Sequence, residues 1–180
     1  MSEKNEIVYK QVPQPALVIP QEWAECIAVK PISVYDFHPF SKVEVLVDEA
    51  FANGYFRSHL DEIECAWIAF CNNNVIGWAA VGQCMLKCIV VHPDYRGMGI
   101  GKKLTELRLE YLRGCDRVIS HAWVRPDGEC MSCKNLENFG FVLEQELEDY
   151  YSDTKQNCKY CGDSCSCVAR LYVRKNNENC

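Results

Sequence analysis

The sequence predicts an α/β protein of the α+β kind, with one sheet flanked by helices. Short apolar segments with an alternating pattern recur along the 180 residues and are typical of strands. One glycine-rich loop follows such a strand and leads into an amphipathic pattern, which indicates a strand-loop-helix unit. Hydrophobic residues make up 48% of the chain. This length and composition suit one compact domain, and two domains would be cramped.

The elements are predicted in order from a proline-punctuated N-terminus. Residues 1–25 contain Pro13, Pro15 and Pro20 and are expected to form an extended arm, with a single domain over residues 26–180. A first strand is expected at 26–30, and a helical pattern that follows Ser41 ends near Gly54. A short helical segment is predicted between Pro126 and Phe141, and the remaining strands at 65–71, 75–84, 85–91, 117–124, 141–151 and 167–173.

Residues 88–101 contain the most informative motif. The β-branched segment Ile89-Val90-Val91 is interrupted at Pro93 and continues as Arg96-Gly97-Met98-Gly99-Ile100-Gly101, with Lys102 in the helix that follows. Glycines let a backbone approach a ligand closely, and the first N–H groups of a helix have no partner within it. Such a loop binds phosphate oxygens. The spacing is neither that of a Walker loop nor that of a dinucleotide fingerprint, and a pyrophosphate is the expected ligand.

The competing interpretation is that these glycines only shape a turn. Three glycines in five residues would then cost roughly 0.5–1 kcal/mol each in backbone entropy, so we favour phosphate binding. The helix after the loop is predicted to bury one apolar stripe and to end at Gly114. The members of that stripe are Ile100, Leu104, Leu107 and Tyr111.

The arrangement Arg96-x-x-Gly99-x-Gly101 after an apolar strand closely resembles the central motif of the GNAT superfamily of acyl-CoA-dependent N-acyltransferases. The resemblance implies a mixed, twisted, mostly antiparallel sheet flanked by helices. It also implies acetyl-CoA as cosubstrate, with its pyrophosphate in the loop and its pantetheine arm beside open backbone groups of the preceding strand. The cofactor-binding residues implied are Ile89, Val90, Val91, Arg96, Gly97, Met98, Gly99, Ile100, Gly101 and Lys102.

The general acid is a departure from the family pattern. The family often places a tyrosine a few residues before an aromatic-Gly-Phe closure, but Leu136 stands at that position here, and Glu129 stands where an asparagine often occurs. Tyr150 and Tyr151 lie near the end of a strand that should run toward the same cleft, and they are the candidate catalytic residues. A role in packing or at the rim of the cleft is the alternative for both.

Two histidines are less specific signals. His92 precedes a proline at the end of a strand and is interpreted as a turn residue. His121 alternates with Ile119 and Trp123 within a strand, so it belongs either to the core or to the cleft.

Four cysteines lie within ten residues, at Cys158, Cys161, Cys165 and Cys167. A C-x2-C-Gly turn directs two thiolates at one ion, and the following C-x-C supplies the other two corners of a tetrahedron. Zinc is the expected metal. Because four thiolates leave no open coordination position, the zinc is expected to be structural and to fix the loop between the last two strands.

The other cysteines are expected to be reduced. The total of thirteen is odd, and the N-terminal residues show no secretion signal. Single cysteines in apolar strands, such as Cys84, are interpreted as packing residues. Cys130 and Cys133 are predicted to be thiols on one helix face, although exchange with one half of the four-cysteine site is an alternative.

Charge restricts the partners. A net charge of −6 and a pI near 5.3 argue against nucleic acid and favour a basic, lysine-like amine. No apolar run approaches the length of a membrane span, so no membrane partner and a cytoplasmic location are expected.

The predicted function is acetyl transfer from acetyl-CoA to a primary amine of a small molecule or protein. The alternative is a catalytically degenerate CoA-binding module whose zinc knuckle contacts a partner. The sequence carries no signal for the identity of the acceptor or for the oligomeric state.

Overall fold

A computed structural model describes residues 27–32, 40–51, 54–71, 74–151, 158–162 and 165–176. The predicted N-terminal arm lies outside these residues. None of the helices in these ranges has the length and apolar character needed to cross a bilayer. The helices are α1 (Phe40–Ala50), α2 (Tyr55–Ser58), α3 (Ile100–Tyr111) and α4 (Cys133–Asn138). The strands are β1 (Ile27–Ile32), β2 (Cys65–Cys71), β3 (Asn74–Gly82), β4 (Met85–Val91), β5 (Arg117–Val124), β6 (Val142–Leu147) and β7 (Val168–Lys175).

The strands form one seven-stranded sheet in the order β1-β2-β3-β4-β5-β7-β6. All neighbours are antiparallel except β4 and β5, which are parallel. A parallel pair needs a crossover connection, and α3 supplies it. The prediction of a mixed, mostly antiparallel sheet flanked by helices is therefore confirmed.

The sheet divides between β4 and β5. The two strands pair only at Met85 with Ile119 and at Leu86 with Ser120. Beyond Leu86, β4 remains paired with β3 alone, while β5 continues along β7. One extra residue lies in β4 between Leu86 and Ile89, which marks a β-bulge at the point of divergence. The result is a V-shaped gap that opens toward the C-terminal end of β4.

Each face of the sheet packs against its own helix. On one face, α1 buries Val43 and Val47 against Ile68, Trp78 and Val90. On the other face, α3 and α4 pack against the sheet, with Leu104 and Leu136 in the same cluster as Trp67, Leu86 and Val118. Burial of a large apolar side chain contributes about 1.5–3 kcal/mol, so these two layers hold the central strands in place.

Several predicted boundaries agree with the structure residue for residue. β2, β4 and β5 begin and end where the alternation of the sequence places them. α4 begins only at Cys133, because the segment after Pro126 is a turn in which Gly128 has a φ of 84°. β6 is shorter than predicted: it ends at Leu147, and Asp149 follows in a left-handed conformation with a φ of 58°.

The predicted stripe on α3 is only partly correct. Ile100 and Leu104 are buried, but Tyr111 is 40% exposed. The buried positions continue instead through Thr105, Arg108 and Leu109. The Arg108 guanidinium donates to the main-chain carbonyl of Lys87 and to the Thr105 hydroxyl, so its long side chain fills core space beside the bulge of β4. Burial lowers the pKa of Arg108 to about 10.

Two pairs of cysteines depart from the expectation of reduced thiols. Cys84 is bonded to Cys115, which joins the β3–β4 turn to the segment before β5. Cys130 is bonded to Cys133 at the start of α4, so these two are not free thiols on one helix face. The sequence places the members of the first pair 31 residues apart, and only the parallel pairing of β4 with β5 brings them together.

Candidate active site and cysteine cluster

The segment between β4 and α3, which we call the glycine loop (residues 92–102), is held by local hydrogen bonds at its beginning. The His92 side chain accepts a hydrogen bond from the Asp94 N–H (3.3 Å), and the Arg96 N–H donates to the Pro93 carbonyl (3.2 Å). These contacts form the 3-10 turn Pro93–Tyr95. His92 therefore acts as a turn residue, in agreement with its sequence context.

Two glycines give the loop its shape. Gly97 and Gly99 have φ values of 77° and 79°, in the left-handed region that residues with a Cβ rarely adopt. Gly99 is the N-cap of α3, and a Cβ added at either glycine would meet no atom within 4 Å. Open space therefore borders the backbone at both positions.

The backbone N–H groups in the second half of the glycine loop have no main-chain acceptor in the described part of the chain. From Gly97 to Lys102, six consecutive N–H groups donate to no main-chain acceptor among the described residues. The first N–H of this region to be used is that of Lys103, which donates to the Gly99 carbonyl at 2.9 Å. An exposed row of N–H groups at the positive end of a helix dipole has the chemistry of an anion site.

The side chains of the loop differ in what they can offer an anionic ligand. Arg96 is exposed and returns to the end of β4, where its Nε donates to the Val91 carbonyl (3.2 Å). Lys102 is exposed and adds positive charge in the first turn of α3. Ile100 is buried under the helix, so it offers a ligand only its main chain. Ile89, Val90 and Val91 lie on the part of β4 that borders the gap in the sheet.

On the α1 face of β5, Tyr150 and His121 are in contact. The Tyr150 hydroxyl lies 3.3 Å from His121 Nδ1, and their ring centroids are 4.8 Å apart. Burial and the positive charge of Lys87 lower the pKa of His121, which favours the neutral imidazole. Burial and the negative charge of Glu62 raise the pKa of Tyr150, so its hydroxyl stays protonated at neutral pH. The pair thus presents one proton donor and one proton acceptor beside the gap.

The remaining residues considered for catalysis have other surroundings. Tyr151 packs against the buried cysteines near the C-terminus, and burial strongly raises its pKa. Leu136 is buried in the α3 core, so it leaves the usual position of the family's acid apolar. Glu129 forms an ion pair with Arg125. Of the two predicted tyrosines, only Tyr150 is both exposed and paired with a titratable side chain among the described residues.

The four cysteines near the C-terminus lie together as one cluster, which we call the cysteine cluster (Cys158, Cys161, Cys165 and Cys167). All four Sγ atoms lie within 4.8 Å of one another. Cys167 Sγ is 3.8 Å from Cys158 Sγ and 3.6 Å from Cys161 Sγ. A tetrahedral zinc site with Zn–S bonds of about 2.3 Å needs sulfur separations of roughly 3.8 Å. The measured separations fit that geometry.

Hydrogen-bond donors surround the sulfurs. The Ser166 N–H donates to Cys161 Sγ (3.4 Å), and the Trp123 ring packs against the cluster. Burial raises the pKa of Cys167. Burial raises the pKa of Cys161, but hydrogen bonds from Ser166 and the neighbouring cysteines outweigh burial and bring this pKa to about 7. Donors placed around sulfur favour the thiolate, which is the form that binds a metal.

The sequence by itself identifies the glycine loop and, as a separate site, the four cysteines. It does not identify several residues on the face of β5. The alternation of the sequence leaves His121 open between core and cleft, and it gives Trp123 no role beyond its place in the strand. The period of two along β5 places His121 and Trp123 on one face. That period was a usable signal, but the sequence does not show which segment covers the face.

Comparisons with known proteins agree with this geometry. Residues 32–141 match the model of the acetyltransferase (GNAT) family. No curated protein matches the chain in sequence. An IAA acetyltransferase from Bacillus cereus ATCC 14579 has the same fold, with a TM-score of 0.63 at 18% identity over 83% of this chain and 99% of that one.

Two further solved structures share the fold. A GNAT family acetyltransferase from Elizabethkingia anophelis with acetyl-CoA bound gives a TM-score of 0.61 at 15% identity, over 84% of this chain and 99% of that one. The ribosomal-protein-S18-alanine N-acetyltransferase from Escherichia coli gives 0.60 at 17% identity, over 86% and 98%. Because the family model spans more than half of the residues and includes the glycine loop, the chain belongs to the GNAT acetyltransferase family.

Proposed function

We propose that this protein is an acetyl-CoA-dependent N-acetyltransferase that acetylates a primary amine on a small molecule or a protein. The observation that carries the proposal is the row of six unused N–H groups from Gly97 to Lys102, at the mouth of a gap in the sheet. A ligand that places an anionic group at the loop and an extended arm in the gap has the charge and shape of a coenzyme A thioester. The acetyl-CoA bound to the relative from Elizabethkingia anophelis supports this occupant.

The cofactor contacts follow from the two parts of the site. The main chain from Gly97 to Lys102 binds the pyrophosphate, and the Lys102 side chain adds a positive charge. Arg96 fixes the start of the loop through the Val91 carbonyl. The main chain of Ile89, Val90 and Val91 borders the gap and offers hydrogen bonds to the pantetheine arm. Met98 is 41% exposed and covers the outer side of the loop.

The reaction needs one proton to move from the amine to the departing sulfur. The amine nitrogen attacks the thioester carbon, the C–S bond breaks, and the thiolate of CoA takes up a proton. The amine attacks in its neutral form, after the free ammonium has lost a proton to solvent. Once the N–C bond has formed, neutral His121 accepts the further proton that the nitrogen loses, and Tyr150 donates its hydroxyl proton to the sulfur. Because Tyr150 and His121 share a hydrogen bond, the proton then passes from His121 to Tyr150, and both side chains return to their starting states. Tyr151 receives less support, since it packs against cysteines rather than facing the gap.

We further propose that the cysteine cluster binds a structural zinc ion and that residues 26–180 form one domain preceded by the arm. The sulfur separations and the surrounding donors support zinc. Four thiolates fill a tetrahedral site, so the metal has no position left for a substrate. The single sheet that extends from β1 to β7 supports one domain.

The test of the proposed function combines cofactor binding with turnover. Titration calorimetry should show binding of CoA at about one site per chain. Incubation with acetyl-CoA and a panel of primary amines and peptides should give acetylated products by mass spectrometry. This readout is preferable to thiol reagents, because several of the chain's own cysteines are free. A CoA-binding module without catalysis would bind CoA and acetylate none of the amines. A protein that binds no CoA would contradict the proposal as a whole.

A further inference from the structure

One face of β5, together with the residue that follows the strand, contacts the connection between β6 and β7 at three alternate positions. His121 contacts Tyr150, as described above. Trp123 packs edge-on against Tyr160, with ring centroids 5.2 Å apart, and also packs against the cysteine cluster. The Arg125 guanidinium lies 4.4 Å above the Tyr160 ring. The segment that carries the cysteine cluster therefore covers the strand on which His121 lies.

The same segment is also attached to α1. Lys159 lies between two cysteines of the cluster, and its Nζ donates to the Glu49 carbonyl in the last turn of α1 (2.6 Å). A cation at this end of a helix also interacts favourably with the helix dipole. Phe51, just after α1, packs against Trp123 with ring centroids 5.3 Å apart. Trp123, which lies on β5, therefore contacts both the end of α1 and the cysteine cluster.

A chain of ring contacts leads from the cluster to Tyr150. Tyr151 packs against the buried group formed by Cys158, Cys165 and Cys167. Tyr150 packs edge-on against Tyr151, with ring centroids 5.0 Å apart. The cluster is the small core of this connection, and its fully buried members are cysteines rather than aliphatic residues. A core of thiols packs weakly by itself, whereas binding of a metal to four thiolates supplies folding free energy.

We propose that metal bound by the cysteine cluster positions Tyr150 against His121, with Trp123 as the positioning residue that connects the two. The inference rests on the proposed function for the role of Tyr150. The glycine loop shares no residue with this network, so occupancy of the metal site is predicted to control the acceptor face and to leave CoA affinity unchanged. Trp123 acts through its contacts with the cysteine cluster and the Phe51 ring, and it is not a catalytic residue.

The first experiment compares zinc-loaded protein with protein stripped by a chelator. Elemental analysis should find about one zinc per chain before stripping. Imidazole NMR signals of His121, assigned with His121→Asn, should shift on zinc removal, and hydrogen exchange should increase across 142–151. Exchange across 97–105 and the CoA affinity should stay within twofold. Zinc-free native protein, or unchanged His121 signals after stripping, would overturn the inference.

The second experiment shortens the Trp123 side chain. Trp123→Phe keeps an aromatic ring beside Phe51 and Tyr160 but reduces the contact with the cysteine cluster. Loss of this support around the ligands is expected to weaken zinc binding about 10- to 100-fold. The His121 shift should then appear at zinc concentrations that saturate the wild type. Trp67→Phe is the matched control, because Trp67 is buried on the opposite face of the sheet beside Tyr111.

The two proposals fail in different ways. If CoA does not bind, the proposed function fails, whereas the shift of His121 on zinc removal still tests the link between the cluster and β5. If CoA binds and Trp123→Phe keeps the zinc affinity of the wild type, the inference about Trp123 fails and the acetyltransferase proposal stands. Near-ultraviolet circular dichroism of each variant separates local loosening from unfolding.

Discussion

The glycine loop and the face of β5 lie on either side of the gap in the sheet and are built in different ways. The loop presents main-chain N–H groups, and its glycines matter because they lack a Cβ. The β5 face presents side chains, and its geometry depends on a covering segment more than twenty residues away in sequence. A main-chain site is encoded locally, whereas a side-chain site depends on the fold. The following variants test whether the two regions are as independent as this contrast implies.

Gly99→Glu should have the largest effect. A carboxylate at the N-cap of α3 opposes the negative charge of a pyrophosphate, so we expect CoA affinity to fall about 1,000-fold, or about 4 kcal/mol. Gly99→Gln introduces the same backbone strain at a φ of 79° without the charge, and should lose no more than about tenfold. Calorimetry with CoA measures both. Equal losses in the two variants would mean that strain rather than anion binding explains the effect. The zinc content should be unchanged in both.

Removal of the Cys84–Cys115 bond should lower the stability of the fold and leave the CoA affinity of the glycine loop unchanged. The bond closes a segment of about thirty residues that contains α3 and the glycine loop. Chain entropy predicts that Cys84→Ser combined with Cys115→Ser lowers the free energy of unfolding by about 3–4 kcal/mol. Denaturant unfolding measures this change, and wild type with reductant is the matched control. A large loss of CoA affinity below the unfolding transition would show that the loop geometry depends on this bond.

Tyr150→Phe tests the face of β5 and should leave the glycine loop unaffected. Loss of the hydroxyl is expected to lower kcat about 100-fold with little change in CoA affinity. Tyr151→Phe is the matched comparison and should reduce kcat less than tenfold, because Tyr151 packs against the cysteine cluster. Equal losses in the two variants would remove the preference for Tyr150. Acetylated product formed from an amine of the panel provides the rate.

The pH dependence of kcat should report His121. A base acts only when neutral, so kcat falls as the pH drops through the pKa of His121. Burial first, and then the charge of Lys87, lower this pKa, which places the acidic limb below the ordinary histidine value of 6.5. His121→Asn should lose this limb along with most of the rate. An acidic limb that remains in this variant would assign the base to another group.

Lys159→Met should have the smallest effect. The exposed Lys159 donates to the last turn of α1, and hydrogen bonds to charged donors at exposed positions contribute about 0.5–1 kcal/mol. We expect a fall of that size in the free energy of unfolding, an increase below threefold in the KM for the acceptor, and no change in CoA affinity. Lys134→Met, at an exposed position on α4, is the control. A change in CoA affinity would show that the attachment to α1 reaches the glycine loop.

Much of the glycine loop could be predicted from local sequence, for a physical reason. A run of β-branched residues favours an extended strand, a proline ends it, and closely spaced glycines permit the left-handed conformations that follow. All of these effects operate within a few residues. The four cysteines of the cluster are similarly local, since the C-x2-C-Gly turn spans five positions. The start of the domain at residue 26 and the arm before it stay predictions.

Tertiary structure decided the rest, because long-range contacts override local pattern. The buried side of α3 includes Arg108, whose guanidinium reaches the Lys87 carbonyl only because the bulge of β4 lies beside it. Cys84 and Cys115 meet only because β4 and β5 pair in parallel. The contact of Tyr150 with His121 likewise needs the β6–β7 connection to cross β5, and no spacing in the chain specifies that crossing. Motifs made of main chain are visible in a sequence, while sites made of side chains from distant strands appear only after folding.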